Sequence, residues 1–133
     1  MREKIERLQK ALLQLPPAAV ETNHYFADGL YARELFIPKG MCVVGKVHKK
    51  DHFFMISKGR LSVTMDDRVV ELVAPVLVVS QPGVKRAGYA LEDTICITFH
   101  RTDLKDLAEI EDELVEYDPT SPYLPGNTLR LIE

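Results

Sequence analysis

The chain has 133 residues, of which 46% are hydrophobic and 28% charged, and its formal net charge is −3. That length supports one domain with a real core but not two. The mild acidity gives no global attraction to nucleic acid or to an anionic membrane, and no apolar run approaches the ~20 residues needed to span a bilayer.

Residues 2–15 place Ile5, Leu8, Leu12 and Leu15 at helical spacing, with Arg, Glu, Lys and Gln between them. This predicts a short amphipathic helix ended by Pro16-Pro17, whose apolar stripe must pack on its own domain or on a partner subunit. The same segment lacks an uninterrupted apolar stretch and a small-residue cleavage site, so it is not read as a signal peptide. From about Glu21 to Phe99 the pattern changes to short runs rich in Val, Ile, Phe, Tyr and Thr. Turn signals separate them at Asp28-Gly29, Pro38-Lys39-Gly40, Lys58-Gly59, Asp66-Asp67, Ala74-Pro75 and Gln81-Pro82-Gly83. Strands punctuated this way predict an all-β sandwich or barrel rather than βαβ units.

Leu61-Ser-Val-Thr-Met65 alternates as a half-buried strand should. Val69 to Val73 and Val76 to Val79 are more continuously apolar, which predicts strands covered on both faces. Thr94 to Phe99 alternates again, with Ile95, Ile97 and Phe99 on one face and Thr94, Cys96, Thr98 and His100 on the other. Residues 103–115 return to a helical period, with Asp103 as N-cap and Leu104, Leu107, Ile110, Leu114 and Val115 as the stripe. The segment from Glu116 to Glu133 holds Pro119, Pro122, Pro125 and Gly126 and is expected to be extended. The expected organisation is a helix and linker over 1–20, a β-barrel over 21–102, and a helix with a proline-rich tail over 103–133. Cys42 and Cys96 both lie in apolar runs, which favours buried free thiols and a reducing cytoplasm; a disulfide requires the two strands to be neighbours.

The most informative stretch is Gly40-MCVVG-Lys46-V-His48-KKD-His52-FFMISK-Gly59. Its spacing resembles the first motif of the cupin family: a glycine, two histidines flanking one residue, a glutamate, then a glycine. Lys46, His48 and His52 fall on the His, His and Glu positions. In the second motif the family places a glycine, five residues, Pro-x-Gly, two residues, histidine, three residues and asparagine. The same spacing here runs Pro75, Gln81-Pro82-Gly83, Arg86 and Ala90. The resemblance covers roughly residues 25–100 and extends to small cupin-like proteins of bacteria and their phages. It implies a single jelly-roll barrel with short terminal helices, a site at the barrel mouth, and a homodimer or higher oligomer.

Two chemistries follow from these residues. His48 and His52 flank the turn Lys49-Lys50-Asp51 and are good ligands for a divalent transition metal such as Zn, Fe, Ni or Mn. A catalytic metal normally has about three protein ligands, so the third would come from His100, Asp51, His24 or Glu34. Alternatively, Lys46, Arg86, His48 and His52 crowd donors and positive charge into one pocket. Such a pocket calls for a carboxylate from the protein or for an anionic ligand, an organic acid, sugar phosphate or nucleotide-like molecule. The expected function is a module binding a small anionic molecule; the alternatives are a metal-dependent enzyme of isomerase, dioxygenase or lyase type using His48 and His52, and an assembly protein acting through its termini. The basic group Lys39, Lys46, Lys49 and Lys50 reads as a solvated rim, and Phe53-Phe54 as core with one ring lining the pocket. Tyr25, Phe26 and Tyr31 read first as core or interface, with cover over one end of the barrel as the alternative.

Overall fold

Two antiparallel sheets face each other across one apolar core in the computed structural model, which describes residues 2–13, 20–65, 67–116 and 118. Helix α1 (Arg2–Leu13) precedes strands β1 (Glu21–Ala27), β2 (Leu30–Ile37), β3 (Cys42–Val44), β4 (His52–Lys58), β5 (Arg60–Met65), β6 (Arg68–Val73), β7 (Val76–Ser80), β8 (Ala87–Ala90) and β9 (Thr94–Arg101), and α2 (Leu107–Leu114) follows. The sheets have the orders β1-β2-β9-β4-β7 and β3-β8-β5-β6. This is a jelly roll with a short helix at each end, as the turn spacing and the resemblance predict.

The chain crosses from one sheet to the other at Gly59, where φ is 90°. A side chain there would put its Cβ 2.4 Å from the Asp93 carbonyl oxygen, so the crossing needs both the left-handed backbone and the missing Cβ. The core between the sheets is built by Ile37, Ile56 and Cys96 from one and by Leu61, Val63 and Ala90 from the other. Cys42 and Cys96 are free, on strands of different sheets. Burial pushes the Cys96 thiol up to about 12, so it stays protonated and inert.

Both helices spend their apolar stripes on this barrel. Ile5 and Leu8 of α1 pack on Val44 and Ala87, while Ile110, Leu114 and Val115 close over Tyr31 with Leu104 and Leu107 around them. The Leu12 side chain, Leu15, Pro16-Pro17 and the segment from 119 onward lie outside the described residues. The second helix is shorter than its period predicts. Asp106, not Asp103, is the N-cap, and its carboxylate accepts from the Glu109 N–H at 3.1 Å.

The two long apolar runs also depart from expectation. Val69 and Val73 on β6 and Leu77 and Val79 on β7 are exposed rather than covered. Strands β6 and β7 end their sheets, and alternate side chains leave the core with nothing among the described residues to cover them. On β9 the pleat turns the more polar set inward: Thr94, Cys96 and His100 are buried, and Ile95, Ile97 and Phe99 face out.

A histidine cluster at the mouth of the barrel

Residues 45–49 bridge β3 to β4 and are held from both sides. The Gly45 N–H donates to the Arg86 carbonyl at 2.9 Å and the Gly83 N–H to the His48 carbonyl at 3.0 Å. On the other side Lys49 N–H reaches the Leu114 carbonyl at 2.7 Å and Glu116 N–H the Val47 carbonyl at 2.8 Å. The end of α2 thus pairs with the motif like a short extra strand, with His48 opposite Val115. Alternation along this segment buries Val47 on one side and turns Lys46 and His48 into the barrel.

His48, His52 at the start of β4 and His100 near the end of β9 form one cluster. Their ring centroids lie 4.1 Å (His48–His52), 4.8 Å (His52–His100) and 5.2 Å (His48–His100) apart. One ligating atom from each lies within 4.8 Å of the other two. Each ring is also held at a second point. The Lys46 backbone accepts from His48, the Lys50 carbonyl lies 3.4 Å from His52 Nδ1, and the Thr98 hydroxyl lies 2.9 Å from His100 Nε2. Fixing one ring nitrogen in this way orients the other, a recurrent arrangement behind metal-ligating histidines.

Burial pushes His48 down to about 3, helped by the neighbouring His52 ring and by the Arg33 and Arg86 charges. Burial likewise takes His100 down to about 2, with His48, His52 and Arg33 adding to it. His52 is lowered too, by burial first and then by Arg86 and Arg33 against the opposing Lys50 carbonyl and Asp51. Three neutral imidazoles therefore meet at one place near neutral pH, which is the protonation state a metal requires. With Zn–N bonds of ~2.0–2.1 Å a tetrahedral ion holds its nitrogens roughly 3.3 Å apart. The ligating atoms of the cluster lie within 4.8 Å of one another, so holding such an ion calls for the rings to draw together.

Beneath His48 and His52 lies a cavity of about 160 Å³. Its walls are apolar, formed by Leu35, Ile37, Val43, Phe54, Leu61 and Val63 among others, and Lys46, Arg86, Arg33, Ser80 and Thr98 supply its polar groups. All four residues singled out from the sequence, Lys46, His48, His52 and Arg86, thus line one cavity, and neither basic residue turns outward. Arg86 Nη1 donates to the Ser80 hydroxyl. Lys46 has a protein partner: its Nζ lies 3.3 Å from Glu111 Oε2 on α2, and Arg33 Nη2 lies 3.4 Å from Oε1 of the same carboxylate. Glu111 is buried, so α2 contributes the neutralising carboxylate that the sequence leaves open between protein and ligand. Arg33 is aimed by Tyr31, whose hydroxyl accepts from Nε at 3.0 Å and lies 2.6 Å from His24 Nδ1.

Of the four candidates for a third ligand, His100 is the one that joins. His24 is committed to Tyr31, Glu34 faces the opposite side of the sheet with Tyr25 and Asn23, and Asp51 is exposed. Arg33, Glu111 and Tyr31 are the site residues that sequence reasoning misses. The signal for Tyr31 and Arg33 is that β2 alternates Tyr31, Arg33 and Leu35 on its inner face; Glu111, on α2, gives none. The basic rim is likewise spent on α2: Lys49 Nζ donates to the Asp112 carbonyl at 2.7 Å and Lys50 pairs with Glu113 at 3.0 Å. Phe54 lines the cavity, whereas Phe53 points out of the sheet.

Searches with protein-family profiles and against curated protein sequences find no match. Solved structures do match. A cupin-2 domain protein from Shewanella frigidimarina aligns with a TM-score of 0.53 at 15% identity, covering 70% of this chain and 91% of that one. KdgF from Halomonas aligns at 0.54 and 16% identity, covering 64% and 83%. Salicylate 1,2-dioxygenase from Pseudoaminobacter salicylatoxidans, solved as adducts with gentisate, aligns at 0.59 and 13% identity. This chain covers 34% of that enzyme, and 85% of this chain is aligned. The chain is a cupin-fold protein, with three histidines at the barrel mouth that can hold a metal. Among the described residues no helix is long and apolar enough to cross a membrane.

Proposed function

We propose that this chain is a metal-dependent cupin that binds a small organic acid with an apolar body. The observation that carries the reading is the cluster of His48, His52 and His100, one half-buried and two buried imidazoles converging above an apolar cavity. Imidazole donors suit zinc, iron(II) and nickel better than magnesium or calcium. A bound metal of this kind would supply Lewis acidity toward an oxygen of the ligand.

The rest of the site selects the ligand. A cavity of about 160 Å³ is close in size to the ~150 Å³ apolar cavity that takes up benzene, so it admits a body of roughly six to eight heavy atoms. Its Val, Leu, Ile and Phe walls leave sugar hydroxyls without partners, at a cost of ~1–3 kcal/mol for each one buried. A nucleotide is too large for it. Arg86 reaches the cavity with Nη1 on the Ser80 hydroxyl, and its planar guanidinium suits a carboxylate; Lys46 and Arg33 pair with Glu111. Of the three ligand types open from the sequence, the organic acid is therefore favoured over the sugar phosphate and the nucleotide.

The test is a calorimetric panel on zinc- and iron(II)-loaded protein, with benzoate and 3-methylbutanoate set against glucose 6-phosphate and AMP. The acids should bind and lose at least tenfold in affinity in Val63→Phe, which fills the cavity, and in Arg86→Met. Binding of the phosphates in preference to the acids would overturn the ligand class.

A further inference from the structure

We infer that the acid taken by this site is a dicarboxylate, whose second carboxylate is held by Lys46 and Arg33 on the flank of the barrel mouth opposite Arg86. The inference rests on the proposed function and narrows its ligand class. The observation is an unequal sharing of charge, since two buried cations meet a single buried carboxylate. The Lys46 and Arg33 side chains are 15% and 11% exposed and that of Glu111 is 6% exposed. Among the described residues Glu111 is the acid that pairs with either of them. One positive charge is left over, and a buried charge is costly until a counter-ion joins it.

The bonds themselves leave room for a further acceptor. Lys46 Nζ and Arg33 Nη2 lie 3.3 Å and 3.4 Å from the two Glu111 oxygens, against ~2.7–2.9 Å for a well-made charge-assisted bond. Arg33 Nε donates to Tyr31 and Nη2 to Glu111, which leaves Nη1. An ammonium carries three donors, and Glu111 takes one from Lys46. Both side chains line the cavity.

Register sets this pair apart from Arg86. One inward row crosses the five-stranded sheet as Tyr31, His100, His52 and Ser80, on β2, β9, β4 and β7. The next runs Arg33, Thr98, Phe54 and Val78 on the same strands. Arg33 therefore stands on β2, whereas Ser80, which receives Arg86 Nη1, stands on β7. Three strand spacings separate them, ~14 Å between backbones. Lys46 belongs to the β2 flank, because its Nζ shares the carboxylate that Arg33 binds. His52 and His100 lie between the two flanks, and Phe54 is part of the apolar wall beneath them. Positive charge at both sides of an apolar cavity matches an apolar body with an acid at each end. A monoacid satisfies one flank and leaves the other with its excess charge.

The experiment is calorimetric titration of the zinc-loaded full chain with succinate, glutarate, 3-methylglutarate and phthalate, each set against its own monomethyl ester. The ester keeps the body and removes one charge. At least one diacid should bind tenfold or more tighter than its ester. In Lys46→Met, where Arg33 and Glu111 balance, that ratio should fall below threefold. In Glu111→Gln, where the excess grows by one charge, it should rise, and Lys46→Met alone decides should Glu111→Gln fail to fold. Diacids that bind no tighter than their esters would overturn the inference and leave the proposed function standing. So would a preference that survives Lys46→Met, which would belong to chelation of the zinc. Binding of neither diacids nor the monoacids benzoate and 3-methylbutanoate would overturn the proposed function and this inference with it.

Discussion

Lowering the pH should unfold the metal-free protein through its own site. His48 and His100 have folded pKa values of about 3 and about 2, against ~6.5 for an unfolded histidine. Below pH 6.5 the unfolded chain therefore binds protons that the folded chain does not, and stability falls as pH falls. At 1.36 kcal/mol per pKa unit, each residue removes about 2 kcal/mol between pH 7.5 and pH 5.0. The pair removes about 4 kcal/mol, and His52, lowered in the same direction, adds to it. The loss continues until the folded pKa values are reached, so the whole interval from pH 6.5 to pH 3 is affected. Because the rings touch, the protons belong to the cluster rather than to single residues. Urea unfolding in the presence of chelator, at pH 7.5 and pH 5.0, measures the difference. In His48→Gln/His100→Gln the drop should be smaller by about 4 kcal/mol, which corrects for every carboxylate elsewhere. An equal drop in wild type and variant would show that these rings are not held neutral by burial.

Other consequences are local. Glu111→Ala leaves Arg33 and Lys46 buried without their shared carboxylate and should cost about 3–5 kcal/mol in urea unfolding; adding Lys46→Met to it should recover part of that loss. Gly59→Ala combines a positive φ with a 2.4 Å approach to the Asp93 carbonyl and should cost about 2–4 kcal/mol. Its loss should fall on stability, with metal affinity kept in whatever fraction stays folded.

The fold was legible because turn chemistry is local. Gly29, Gly40, Gly59 and Gly83 all take positive φ where the sequence marks turns, and strands between such points have few ways to pair. The spacing of the motifs likewise brought Lys46, His48, His52 and Arg86 to one cavity. Glu111 was illegible for the opposite reason. It lies 65 residues from Lys46 and 78 from Arg33, on a helix whose period announces only its apolar stripe. His100 was half legible: the alternation of β9 put it with Thr94, Cys96 and Thr98, but not which of the two faces is the inner one. The more polar set turns inward because the barrel interior there is the site, and the apolar set faces out. A pattern read on the rule that apolar means buried would choose the wrong face.

Metal content tests the central claim most directly. Protein purified without affinity tag or chelator, then reconstituted with zinc or iron(II) and freed of excess ion, should carry about one metal per chain by elemental mass spectrometry. His48→Ala, His52→Ala and His100→Ala should each lose it while Lys46→Met retains it. No stoichiometric metal after reconstitution, or metal retained in all three histidine variants, would contradict the account.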